Sequence, residues 1–271
     1  MRTPVRLTLP AALLLCATAA AAQVREPALR QYRFVSEVGY ASPIWVNPGA
    51  SGFNRPVHLV GHITGDKPEG GKWKLAQYLL GLQWEMVAFG YQRDEFEGDG
   101  YDSGDSYTIS GGMATGANGF GASYTWSNPG SGDASWNLGW LFVAQNASTG
   151  IVWRDIGSPQ VRDTVLDERL VGAITVRPAE AQFGVSLQVD YRTKLKDFNA
   201  FRVGGTLTLA RTIDILALAQ WRGGGSFDGF VIGAIWRGQS AMAAGAVGLE
   251  SGGDVGTASG GLDFWQARQS Q

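Results

Sequence analysis

Residues 181–192, AQFGVSLQVDYR, alternate without a break between two kinds of side chain. Ala181, Phe183, Val185, Leu187, Val189 and Tyr191 are apolar or aromatic. Gln182, Gly184, Ser186, Gln188, Asp190 and Arg192 are small, polar or charged. A period of two is the signature of an extended strand with one greasy face and one wet face. Such a strand either covers the core of a soluble sandwich or turns its apolar face to lipid.

The pattern recurs along the chain. Phe201, Val203, Gly205, Leu207 and Leu209 share one face of FRVGGTLTLA, and Trp136, Leu138, Trp140 and Phe142 share one face of WNLGWLFVA. Not every strand is this clean: TIDILALAQWR is apolar on both faces in its middle. Fourteen candidate strands follow, near 56–64, 74–84, 85–94, 105–114, 119–127, 135–146, 149–155, 165–177, 180–192, 200–210, 212–222, 228–237, 239–250 and 255–265. Most have the length of a tilted strand crossing a bilayer, roughly 9–11 residues. Their connections alternate, with long stretches such as GDKPEGGKW and EFEGDGYDSGD set against short ones such as TGAN, NAS and AR. That rhythm is expected of an up-and-down barrel with short periplasmic turns and longer outer loops.

The aromatic residues favour lipid over a sandwich core. They recur near strand ends, at Trp73, Trp84, Tyr91, Tyr107, Trp126, Trp136, Trp153, Tyr191, Trp221, Trp236 and Trp265, as interfacial girdles would. Closure also has a physical cause, because an open sheet edge in lipid would strand backbone amides without partners. The fold class expected is all-β, a transmembrane antiparallel up-and-down barrel of about fourteen strands, inserted in the outer membrane by the barrel-assembly machinery.

The first 22 residues read as an export signal, with Arg2 and Arg6 ahead of a short apolar core and Ala20-Ala21-Ala22 as a cleavage site. Leu15 before Cys16 is too bulky for a usual lipidation box. Cleavage after Ala22 would leave 249 residues without cysteine, and 20 basic against 24 acidic residues, a formal charge of −4. That balance gives no basic patch for nucleic acid. The expected organisation is a signal over 1–22, a hatch segment over 23–54 and the barrel over 55–271.

Residues 40–56, YASPIWVNPGASGFNRP, are too rich in Pro, Gly and Asn to be a strand. Within them IWVNPGASGF resembles the Asn-Pro-small-hydrophobic segment of the FadL-like superfamily, which includes hydrocarbon transporters and PorV-type proteins. The matching positions are Trp45, Asn47, Pro48, Gly49, Ala50 and Phe53, with Gly49 where alanine is usual. The resemblance implies a hatch lying inside a fourteen-stranded barrel and a path for small hydrophobic solutes past Trp45, Asn47, Pro48, Gly49 and Phe53. The extracellular loops lack a long apolar capture segment, so the resemblance covers the architecture and the hatch more than fatty-acid specificity.

On the polar face, His58, His62, Arg169, Arg177, Gln188, Asp190, Arg192 and Arg202 are expected to face the lumen, where they could line a pore or brace the wall. His58 and His62 lie about 13 Å apart along one strand, too far to share a metal ion. The acidic stretch from Asp94 to Asp105 lacks the spacing of an EF-hand, so calcium there stays open beside a plain solvated loop. No metal site, cofactor site or catalytic constellation is expected. Two functions remain: a channel or transporter for small molecules, hydrophobic ones among them, or a non-transporting PorV-like scaffold for exported or surface proteins.

Overall fold

Alternating strands bury their backbone polar groups only by pairing on both sides, and the chain does this by closing on itself. The computed structural model describes residues 25–37, 42–53, 57–67, 71–95, 103–128, 134–161, 164–178 and 182–265. The expected leader, Cys16 and the middle of the acidic loop lie outside them. In chain order the strands are β1 (His58–Asp66), β2 (Lys74–Trp84), β3 (Val87–Asp94), β4 (Gly104–Thr115), β5 (Asn118–Asn128), β6 (Ser135–Val143) and β7 (Ala147–Arg154). A two-rung hairpin follows, β8 (Gln160–Val161) with β9 (Thr164–Val165). Then come β10 (Arg169–Val176), β11 (Phe183–Arg192), β12 (Asp197–Ala210), β13 (Ile213–Arg222), β14 (Phe227–Arg237), β15 (Ala241–Glu250) and β16 (Val255–Trp265).

All but the small hairpin form one closed antiparallel barrel of fourteen strands. Its seam joins the two ends of the sheet, with His58 opposite Trp265 and Asp66 opposite Thr257. The strand expected over 165–177 begins only at Arg169, because Asp155, Gly157 and Ser158 take positive φ (51°, 86° and 55°) and turn the chain into the hairpin. Connections alternate clearly in the first half, where 85–86 and 116–117 contrast with 95–103 and 155–168. They even out later, where 177–182 is longer than 193–196.

The apolar row of each strand faces outward. Leu59, Ile63, Leu82, Phe120, Val185 and Leu207 are all exposed, as a lipid-facing surface requires. At the long-loop end, Tyr78, Tyr91, Tyr107, Trp126, Tyr124 and Trp136 touch in sequence, with ring centroids 4.8–5.9 Å apart. Trp265 does not belong to a girdle. It packs inward on His58 at a ring separation of 5.9 Å, because it lies in phase with inward Asp263 while Phe264 takes the outward position.

The inward face is not uniformly polar either. Leu79, Leu141, Val152, Val171, Leu216 and Leu218 point in and are buried. All of these but Leu141 form one apolar core together with Leu29, Tyr32, Phe34, Val35, Ile44 and Trp45 of the segment before β1. The double-faced character of 213–222 thus has a cause: Ile215 and Ala217 face out, while Leu216 and Leu218 pack in the lumen. The core of this molecule lies inside the barrel, and the N-terminal segment supplies seven of its eighteen buried residues.

Candidate functional site

The segment enters the lumen near the long-loop end and leaves it near the short-turn end. Arg25 pairs with Asp66 at the outer end of β1, and Gln92 Nε2 donates to the Arg25 carbonyl at 3.0 Å. A single helical turn, α1 (Leu29–Tyr32), follows. After a wide turn over Ser42–Val46 and a tight one over Pro48–Gly52, Phe53 packs beside Gly119 at the inner end of β5.

Residues 42–53 lie against a wall made of glycine. A Cβ on Gly121 would stand 2.1 Å from the Pro48 carbonyl oxygen, and one on Gly139 would stand 2.2 Å from Asn47 Oδ1. Gly81 and Gly90, opposite each other on β2 and β3, make room for Ile44 and Trp45 in the same way. No real Cβ tolerates such distances, so these positions require glycine for close approach. Backbone meets backbone here, and Asn47 satisfies it. Its Nδ2 donates to the carbonyls of Val35 (2.7 Å) and Trp140 (3.0 Å), and its Oδ1 accepts from Gly49 N–H at 2.9 Å. Pro48 sets the first position of the tight turn. Ser51 bonds Ser110 at 2.9 Å, and Ser110 also donates to the Pro43 carbonyl at 2.8 Å.

Residues 25–37 also meet glycine, at Gly150 beside the Val35 carbonyl, but are held mostly by side chains reaching in from the wall. Ala28 N–H donates to Gln77 Oε1 at 2.7 Å and Val35 N–H to Gln188 Oε1 at 3.0 Å. Tyr32 hydroxyl bonds His62, and Arg202 donates to the Arg30 carbonyl. Arg30 Nε in turn donates to the Trp45 carbonyl at 2.6 Å, tying the two parts together.

The eight polar residues singled out in the sequence all lie on inward rows, but at different levels. Arg169, opposite Arg192 at the outer end of β10, reaches three carboxylates, Glu26, Asp155 (3.5 Å) and Asp190 (3.3 Å). Gln188 and Arg202 hold the N-terminal segment. Arg192 lies at the outer rim, bonded to Asp197 (2.6 Å) and near Asp167 (3.7 Å). Arg177 lies at the inner rim beside Gly184 and Asp214. His58 Nδ1 is 3.5 Å from Asp263 Oδ1, across the seam between β1 and β16. Asp94 points into the lumen toward Gln77 and Gln92, whereas Asp105 pairs outside with Arg93. The two ends of the acidic loop therefore diverge. Among the described residues no three His, Cys, Asp or Glu side chains gather as metal ligands.

These contacts divide the lumen. Above α1 opens a vestibule of about 1610 Å³, lined by Arg169, Asp190, Arg192, Arg202, Arg222 and Asp228 among others. A side pocket of about 400 Å³ adjoins it. Below lies a cavity of about 150 Å³, bordered by Tyr32, Phe34, Arg177, Asp214, Leu216 and Arg237. Of the residues lining the vestibule and the lower cavity, only Leu218 is common to both. Between them stands an apolar septum of Tyr32 and Phe34 against Leu216, Leu218 and Ile235. Glu26, Arg30, Phe34 and Leu218 escape a reading by residue type alone. The inward glycines were legible from their phase in the alternation.

No family model and no curated protein matches the chain by sequence. Solved structures do match by shape. The monoaromatic hydrocarbon channel CymD aligns over 89% of this chain and 98% of its own, with a TM-score of 0.59 and 11% identity. The outer-membrane protein Omp33 of Acinetobacter baumannii aligns over 79% and 100%, with a TM-score of 0.53 and 9% identity. At such identities the likeness speaks for the fold. With the closed sheet and its apolar exterior, it makes this chain an outer-membrane β-barrel.

Proposed function

We propose that the protein is a passive outer-membrane channel for small solutes, held shut in this conformation by residues 25–37. The observation that carries this reading is the divided lumen: an open outer vestibule and an inner cavity separated by one apolar septum. The glycine-docked residues 42–53 serve as the fixed part. Residues 25–37, held largely by single side-chain hydrogen bonds from the wall, serve as the part that moves. Arginine and carboxylate groups line the vestibule and suit water-soluble molecules. The apolar septum and the shape of a hydrocarbon channel support a hydrophobic solute instead, but such a solute would first have to cross the charged mouth. A scaffold role leaves the vestibule without a use.

Proteoliposome swelling tests the reading. Glycine and arabinose are expected to permeate slowly through the native protein. Leu218→Ser, which hydrates the septum, is expected to speed both. No swelling in either protein would reject the channel.

A further inference from the structure

The side pocket of about 400 Å³ has the size of a ligand site, for which roughly 300–1,000 Å³ is usual. It opens onto the vestibule, with which it shares Arg25, Glu26, Arg169, Arg192 and Asn199. Three kinds of surface meet in it. Ile44 and Trp45 of the docked segment form an apolar side, and the Trp45 indole Nε1 has no hydrogen-bond partner among the described residues. A row of neutral hydrogen-bonding groups comes from three adjacent strands: Ser106, Thr108, Thr125, Ser135 and Asn137. Arg30 and Arg169 stand at the charged end.

The row is preorganised but not used up. Thr108 and Thr125 share a hydrogen bond of 2.8 Å, and Ser135 donates to Asp155 at 2.7 Å. Each hydroxyl oxygen keeps capacity for another bond. Small groups that both donate and accept, held on rigid strands, match a molecule carrying several hydroxyls.

The charged end keeps one arginine for a carboxylate. Arg25, Arg30, Arg169 and Arg192 border the pocket, and Arg192 is bonded to Asp197 at 2.6 Å. Arg169 has three carboxylates around it, and Arg25 has Asp66. Arg30 makes no ion pair among the described residues; its Nε is taken by the Trp45 carbonyl at 2.6 Å. Its remaining guanidinium donors form the fork that carboxylates fit.

We propose that this pocket binds a small hydroxylated monocarboxylate of the sugar-acid type, its carboxylate on Arg30 and its hydroxyls along the Ser/Thr/Asn row. This deepens the channel reading by naming a class of solute, and it rests on that reading only for the solute's being cargo. Equilibrium binding of glucuronate, glucose and acetate to the full-length protein in detergent, followed by calorimetry, tests it. Glucuronate is expected to bind saturably and about tenfold or more tighter than either glucose, which lacks the charge, or acetate, which lacks the hydroxyls. Arg30→Gln is expected to remove the preference for glucuronate over glucose, and Thr108→Val to weaken both. Equal affinity of glucuronate and acetate, or of glucuronate and glucose, in the native protein would overturn the proposal whatever the variants do. Swelling without binding would sink this site and leave the channel; binding without swelling would do the reverse.

Discussion

The Asn47 side-chain amide donates to the Val35 carbonyl oxygen at 2.7 Å, across twelve residues of chain. One side chain thereby locks the docked turn to the segment that divides the lumen. The same amide group reaches Trp140 on the wall and Gly49 in its own turn. Asn47 is fully buried, so water cannot replace it cheaply. Asn47→Ala would leave two carbonyls and one N–H without that partner. A loss of about 1–3 kcal/mol is expected, seen as a lower urea midpoint in detergent and as faster swelling of proteoliposomes. Asn47→Asp is expected to restore only the bond from Gly49, since a carboxylate cannot donate to the other two.

The glycine wall gives a sharper contrast. Gly121→Ala puts a methyl 2.1 Å from the Pro48 oxygen, and both sides of that contact are backbone. The docked turn cannot give way locally and is expected to leave the wall. Gly172→Ala is the control, because nothing lies within 4 Å of its Cβ position. Limited proteolysis should cut Gly121→Ala within residues 25–53 while Gly172→Ala stays resistant. Equal resistance would show that the dock is softer than its distances imply.

The lipid face is tested by two arginines one strand apart. Leu187 lies midway along β11 on the exposed row, and Thr206 on β12 faces the lower cavity. Leu187→Arg is expected to cost about 2–4 kcal/mol in a bilayer. Thr206→Arg, placed toward water, is expected to cost clearly less. Comparable losses of folded barrel, measured by electrophoretic mobility with and without heating, would mean that the faces are assigned the wrong way round.

Acid should loosen one outer connection first. Glu168 accepts from Gly157 N–H at 2.9 Å, from Trp153 Nε1 at 3.0 Å and from Thr193 Oγ1 at 3.0 Å. The Gly157 N–H foremost, and the two side-chain donors with it, hold its carboxyl below the usual carboxylate range. A lowered folded pKa means that the contribution is fully present above the ordinary value of 4.5 and is lost as pH falls through the lower folded value. Exchange protection of the Gly157 amide and the Trp153 indole N–H, relative to their intrinsic rates, is therefore expected to hold at pH 5 and to fall in more acidic solution. Glu168→Gln should remove that acid dependence.

Much of this protein is decided by period alone. The alternation in residues such as 183–192 and 201–209 determines strand, face and number, because inverting one face would put either charge in lipid or grease in water. The short–long rhythm of the connections marks up-and-down order in the first half of the barrel, and evens out in the second. The Asn-Pro turn, with its irregular flanks, announces a segment that cannot be a strand. Phase also marks Gly81, Gly90, Gly121 and Gly139 as inward, although only the docked chain gives them a reason to be glycine.

What the tertiary structure decided is the inside of the barrel. A period of two says that Leu216, Leu218 and Trp265 point inward, but not that they find apolar company there. That company comes from Phe34, Val35 and Val46, which are distant in sequence. Likewise Arg30, Arg169 and Asp190 are scattered along the chain, and only closure of the sheet around the N-terminal segment brings them to one level. Local pattern fixes a side chain's direction because it depends on the backbone of its own strand. Which groups meet in the lumen depends on register and closure around the whole ring, and no short stretch of sequence carries that.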